Sequence, residues 1–412
     1  MQLKYSWLSM MQLYILIHVA SAVIVSLFVS GFSALPYTRL VYILLYTGVC
    51  LVFIFRVRDK VYVDHTSFFS KVFLIYIYCF PLWLFMGVLD FGFYVITDAY
   101  YFLFGILVFY AFYNSIFYLH DLSIENLIFL KGTVVVGLLL VLIRYLSFSV
   151  PMEVVVALST YIVIYIFHGV SQFWRFIFLF LIVLLAMTSN RAFFLQAIVV
   201  SYVLILARFG VVRTVLVTAL MWFLVLLSVN VFSHDIKEMF SGTPLDRRVS
   251  ETLSILEGKS IEEVSLPLMQ REYEASQVRN FFVENPLYII AGKGFGATLD
   301  MSASEDDSVI GSQFIGAEDT HNIHYLHYAI LYRHGVVGCI LIALIILAST
   351  RFLYRCSCQF SRSNINFLQI WGSAIVIAMF SFSIFASSFI FSNPLWIMGL
   401  AAMVYYERRV FV

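Results

Sequence analysis

Residues 318–338, EDTHNIHYLHYAILYRHGVVG, gather four of the chain's nine histidines into fourteen positions. Histidine changes charge close to neutral pH and exchanges protons with hydroxyl groups, so one held at a water boundary is a candidate general base. His324 is the best placed. His324, Tyr328, Leu331, Gly335 and Gly338 recur at steps of four and three and so share one face of a helix. His324 then stands at the outer end of that face, and the two glycines at its deep end would admit another helix. Thr320 or Asp319 could cap the helix, and His321, one turn earlier, could orient or replace His324. His327 and His334 read as interfacial or packed rings. Zinc is the rival for the cluster, but His321, His324 and His327 come with no HExxH and no obvious fourth ligand.

Arginine supplies the second kind of chemistry. Arg247, Arg248, Arg271 and Arg279 lie in a stretch otherwise dominated by acids, and a guanidinium fork suits phosphate or diphosphate. On one helix Arg271 and Arg279 would stand about 12 Å apart, which suits separate tasks better than one clamp. The plainer alternative is a surface ion pair, such as Arg271 with Glu272 or Glu274. In TSNRAFF, residues 188–194, Arg191 opens an apolar run, where it either snorkels or has a partner. Arginines with a histidine, and no DxD or DD pair outside the Ser- and acid-rich SEDDS stretch, suggest an anionic lipid-linked substrate handled without a divalent ion. A basic groove with interleaved aromatics, as nucleic-acid binding requires, is missing.

These residues must be positioned by a membrane protein. Of 412 residues, 62% are hydrophobic and 12% charged, against about 25% charged in soluble domains. Apolar runs of bilayer length fall near 9–31, 39–56, 70–92, 97–118, 125–143, 150–168, 170–188, 192–210, 213–232, 325–349, 367–388 and 391–406. The expectation is an all-α polytopic protein of about twelve transmembrane helices. Pro81, Pro151 and Pro394 sit in or at the ends of spans, where they could kink them. Lys4 and the basic residues of the short loops, Arg56 to Lys60, Lys131, Arg175, Arg208, Arg213, Arg351, Arg355 and Arg362, fall on one side of such a chain, with Arg408 and Arg409 in its tail. That places both termini in the cytoplasm. The first run reads as a retained span. The five cysteines lie in or beside apolar runs and suggest no disulfide framework.

Three regions follow: an N-terminal bundle over 1–232, a large outer segment over 233–324, and C-terminal helices over 325–412. The outer segment holds sixteen of the twenty-four acidic residues. Its MSASEDDSVIGSQ stretch reads as disordered. Leu268–Val283 reads as a helix with Ala275, Val278 and Phe282 on one face. Pro286 stops it, and Gly292, Gly294 and Gly296 allow a tight backbone.

With these motifs in order, the chain resembles the O-antigen ligase/polymerase family of bacterial membrane enzymes. His324-Tyr325, nine residues, Gly335, two residues and Gly338 are similar to the family's histidine-helix pattern, with Tyr325 departing from the usual Asn, Ser or Gln. Starting instead at His321-Asn322 restores that pair but shifts the glycine spacing by three. TSNRAFF is similar to the family's arginine segment, with Asn190 and Ala192 as departures. REYEASQVRNFFVENPLYIIAGKGFG resembles its periplasmic segment, with Arg271 matching the arginine and Glu274 falling where an acid or aromatic is common.

The resemblance implies a GT-C-like, metal-independent glycosyltransferase of the bacterial inner membrane, with the large loop in the periplasm and no cofactor. Its donor would be a polyprenyl diphosphate-linked oligosaccharide. His324, Arg271 and Arg191 would be catalytic, and Arg279, Arg248, His321 and Tyr328 would bind substrate. The expected reaction is polymerisation of lipid-linked repeat units of O-antigen or a related surface polysaccharide. The alternative is ligation of the glycan to lipid A-core. From another class, a polysaccharide flippase would show charged groups deep in several spans or repeated halves, and the sequence has neither. Membrane lipids are partners; a chain-length regulator would be another, with no contact surface marked for it.

Overall fold

A computed structural model describes residues 14–22, 24–25, 34–56, 67–89, 93–117, 127–145, 152–168, 171–188, 191–216, 218–220, 266–300, 319–321, 323–359, 367–384 and 393–411, with isolated positions at 223, 227, 238, 250, 254 and 390. The described chain is helical. Helical residues at 14–22 precede α1 (Ala34–Arg56), α2 (Phe68–Tyr78), α3 (Phe80–Leu89), α4 (Phe93–Phe117), α5 (Leu127–Tyr145), α6 (Met152–His168), α7 (Gln172–Thr188) and α8 (Arg191–Phe209). Then come α9 (Leu266–Glu284), α10 (Tyr288–Ala291), β1 (Leu299–Asp300), β2 (Asp319–Thr320), α11 (Leu326–Gln359), α12 (Phe367–Ser383) and α13 (Leu395–Phe411).

Apolar side chains all round a helix bury it from every side, and α12 shows this: each of its residues from Phe367 to Ser383 is buried. It packs against α13, α11, α8 and α6, so the bundle closes around it. Buried charge is paired, as burial requires: His18 stacks on Tyr42 with ring centroids 3.8 Å apart and meets Glu153 at 3.7 Å.

The span count is corrected. Among the described residues three helical segments are long and apolar enough to cross a membrane, Phe68–Leu89, Tyr94–Ile116 and Leu326–Gln359, where about twelve were expected. The other apolar helices offer stretches of 10–17 residues, among them Leu40–Phe55, Met152–His168 and Phe367–Ser383. The expected runs at 9–31 and 213–232 fall partly outside the described residues. The chain is a membrane-associated protein with a few long apolar helices. The twelve-span, GT-C-like O-antigen ligase/polymerase architecture therefore does not hold. With it go the functions read from that architecture: repeat-unit polymerisation, ligation to lipid A-core and polysaccharide flipping.

Local expectations fare better. Helix α2 ends at Tyr78 and α3 resumes at Phe80, a break just ahead of Pro81, which has no N–H to donate. Pro394 immediately precedes α13. Pro151 and MSASEDDSVIGSQ lie outside the described residues. In α9, Ala275, Val278 and Phe282 are buried as their spacing predicts, and the helix ends two residues before Pro286. Val278 and Phe282 share a small core with Leu299, Ile323, Ala329 and Tyr332. Asp319 and Thr320 do not cap a helix. They form β2, antiparallel to β1 with Leu299 opposite Thr320, and α11 starts only at Leu326.

Helix α11 is broken at Gly335, whose φ of 63° and ψ of −166° are essentially closed to other residues. The two glycines were expected to admit another helix. At Gly335 it is the C-terminal end of the short helix α10 and the residue after it that approach: the Ile290 carbonyl and the Gly292 amide occupy the space a Cβ would need. The break frees the Tyr332 and Arg333 carbonyls, which accept from the Lys293 amide at 2.7 Å and the Gly294 amide at 3.0 Å. The Phe295 amide donates to the Trp83 carbonyl at 3.0 Å. Residues 292–296, GKGFG, are thus a backbone plug between α3, α4 and α11, with Gly292, Gly294 and Gly296 all at positive φ.

Candidate functional site

Helix α9 carries Glu274 on the same buried side as Ala275 and Val278, and its side chain is 1% exposed. An acid buried there needs donors, and three supply them. The His324 ring meets it through Nδ1 at 2.8 Å to Oε1 and 3.0 Å to Oε2. The His324 amide donates to Oε2 at 2.8 Å, and Gln270 Nε2 donates to Oε1 at 3.3 Å. A carboxylate on Nδ1 fixes the tautomer that carries its proton there and leaves Nε2 as the open lone pair. The His324 side chain is 37% exposed, and Nε2 has no partner among the described residues. An imidazole oriented by a carboxylate in this way is an arrangement that can activate a hydroxyl.

Around it stands an aromatic and charged rim. The Arg279 Nη1 donates to the Tyr328 hydroxyl at 2.8 Å, and its Nη2 meets Glu272 at 3.0 Å. The His327 ring lies 4.4 Å from Tyr328 and 5.7 Å from Tyr325. Burial raises the Tyr325 hydroxyl above the ordinary tyrosine value, the Glu272 charge adds to this, and the Arg271 charge opposes it. Tyr325 therefore keeps its proton and can donate. Arg271 and Arg279 thus both border the His324 region from α9.

His321 is held apart from this rim. Its Nε2 lies 3.2 Å from Asp98 Oδ1, its Nδ1 lies 3.1 Å from the Ala297 carbonyl, and its ring stacks on Tyr94 at 4.3 Å. Asp98 also accepts the Gly296 amide at 2.8 Å, and the charge of buried Arg333 is within electrostatic reach of it. Each nitrogen of the His321 ring thus faces an oxygen, the Ala297 carbonyl at Nδ1 and the Asp98 carboxyl at Nε2. Arg333 in turn donates to the His321 carbonyl. Asp98, His321 and Arg333 tie α4, the approach to α11 and the end of the glycine plug together. Both His321 nitrogens are thereby engaged within the protein.

Of the expected site residues, His324, Arg271, Arg279 and Tyr328 come together, and His321 takes the neighbouring position against Asp98. Arg191 is the first residue of α8; its side chain lies outside the described residues, as does Arg248. His334 is a packed ring against Trp83, at 4.3 Å, and His327 is exposed at the rim. His321, His324 and His327 do not converge: among the described residues no three His, Cys, Asp or Glu side chains are grouped to hold a metal.

Two residues escaped the sequence reading of the site. Glu274 had a signal, an acid among the apolar positions of its own helix. Asp98 had another, a single acid in the apolar run FYVITDAYYFLFGILV, where an ionisable group marks function or a partner. No protein-family model and no curated protein matches this chain.

Proposed function

We propose that the protein is a metal-independent transferase working at the membrane border, with His324 as general base on an acceptor hydroxyl. The observation that carries this reading is the 2.8 Å contact of His324 Nδ1 with buried Glu274, which leaves Nε2 directed to chemistry. In the reaction, Nε2 takes the proton of the acceptor hydroxyl as its oxygen bonds to the transferred group. The donor's bond to a diphosphate breaks, and the diphosphate leaves with its negative charge. Arg271 and Arg279, bordering the site from α9, supply positive charge for it, and the neutral Tyr325 hydroxyl supplies a donor.

A polyprenyl diphosphate-linked donor suits a site this close to long apolar helices, and glycosyl donors are the class that the resemblance to the O-antigen ligase/polymerase family implies.

The test is donor turnover by purified protein in lipid nanodiscs, using a panel of prenyl diphosphate-linked radiolabelled sugars and following label from the lipid to the aqueous phase. Turnover of one donor, reduced at least about 100-fold by His324→Ala, supports the reading. No turnover of any donor by the wild type, or full activity of the variant, overturns it.

A further inference from the structure

The turn between α9 and the glycine plug carries apolar side chains that the protein leaves uncovered. Val283 is 81% exposed, Leu287 84% and Ile290 64%. Isolated exposed apolar residues need no explanation, but three within eight positions of an otherwise acid-rich segment form a patch.

What adjoins the patch identifies its occupant. Helix α10 is fixed to α11 at the Gly335 break, where the Ile290 carbonyl sits against Gly335. Immediately beyond Gly335, α11 presents Val336, Ile340, Leu344 and Leu347 to the outside, at 39%, 56%, 40% and 67% exposure. These recur at steps of four, four and three and form one stripe along a segment long and apolar enough to cross a membrane. The apolar turn meets α11 at the head of that stripe, through Ile290 against Gly335. Beside it, the Lys293 ammonium lies over the rings of Phe281 and Tyr332, at 5.7 and 6.0 Å, a long cation at the edge of an apolar face.

We infer that the turn formed by Val283, Leu287 and Ile290 dips into the hydrocarbon border of the phospholipid bilayer that α11 crosses. The acid-rich segment is then seated on the membrane by its own side chains as well as by the plug. Glu274 and Glu284 are ten residues apart on α9, about 15 Å, so the His324–Glu274 pair stands within that distance of the end of α9 that meets the lipid surface. The inference rests on exposure and continuity alone and holds whatever the site catalyses.

Two measurements in nanodiscs of defined phosphatidylglycerol and phosphatidylethanolamine test it. In the first, Leu287→Cys and Asp300→Cys are labelled with a charged, membrane-impermeant maleimide, above the background of the native cysteines. Asp300 is exposed and lies beyond the plug. Cys at 287 should react at least about tenfold more slowly than Cys at 300, the difference vanishing on denaturation. Equal rates overturn the inference. In the second, a benzophenone amino acid at position 287 is irradiated and its adducts are weighed. Adducts of phospholipid mass are expected. A cross-link to a second copy of the chain or to another protein means that the patch is a protein interface and overturns the bilayer assignment.

Discussion

The imidazole Nδ1 of His324 stands 2.8 Å from Oε1 of Glu274, fifty residues earlier in the chain, and the same carboxylate takes the His324 backbone amide. One acid thus sets both the position of the histidine and the orientation of its ring. Replacing His324 by Ala removes the base and should lower kcat at least about 100-fold. Glu274→Gln keeps a carbonyl for Nδ1 but loses the charge that stabilises the ring when it takes a proton. It should also lower kcat, with KM little changed. Steady-state donor turnover separates the two parameters; a Glu274→Gln enzyme with unchanged kcat would remove Glu274 from the chemistry.

Arg279 distinguishes a binding role from a structural one. Its pair with Glu272 joins side chains that are 51% and 55% exposed. Such pairs contribute between zero and about 1 kcal/mol. Arg279→Ala should leave the thermal midpoint nearly unchanged while raising KM for the diphosphate donor several-fold. An unchanged KM would reduce Arg279 to a surface residue.

Asp98 has the opposite profile. It lies within electrostatic reach of buried Arg333, contacts the His321 ring and accepts the Gly296 amide. Removing one partner of a buried ionic group costs about 3–5 kcal/mol. Asp98→Asn should therefore lower the thermal midpoint substantially and speed hydrogen exchange across residues 292–298 ahead of the rest of the protein. Uniform exchange with an unshifted midpoint would show that the triad contributes nothing to stability.

Gly335 is predicted to tolerate no side chain. Its backbone conformation costs a non-glycine residue about 1–3 kcal/mol, and the added Cβ would strike the Ile290 carbonyl. Gly132 provides the contrast: it lies inside α5, and nothing comes within 4 Å of the place a Cβ would take there. Gly132→Ala should stabilise by up to about 1 kcal/mol, through helix propensity alone. Thermal unfolding of the two variants side by side checks the pair; equal shifts would contradict the plug geometry.

What the sequence made legible is what neighbours in sequence decide. The face of α9 through Ala275, Val278 and Phe282 follows from a 3.6-residue period, and the glycines of GKGFG announce backbone that must pass through tight space. The site was half legible: His324, Arg271, Arg279 and Tyr328 could be chosen by type and place, whereas the pairing of His324 with Glu274, or of His321 with Asp98 across 223 positions, is decided by packing. The span count failed because hydropathy registers how many apolar residues follow one another, whereas most apolar helices among the described residues offer stretches of only 10–17 residues. The same distinction explains Asp319 and Thr320. Their types suit a helix cap, but a strand partner at Leu299–Asp300 claims them first.

The plug has a consequence for how the protein is made. The amides of Lys293 and Gly294 bond to carbonyls of Tyr332 and Arg333, which become available only where α11 breaks at Gly335. In a chain synthesised from its N-terminus, Lys293 and Gly294 emerge some forty positions ahead of the groups that receive them. Phe295 and Gly296 find acceptors at Trp83 and Asp98, already made, but the Lys293 and Gly294 amides must wait until α11 has been synthesised and inserted. Completion of the plug, and with it the alignment of α9 beside His324, is then a late event in biogenesis, so a chain interrupted before Gly335 would carry both His324 and Glu274 without the backbone that sets them side by side.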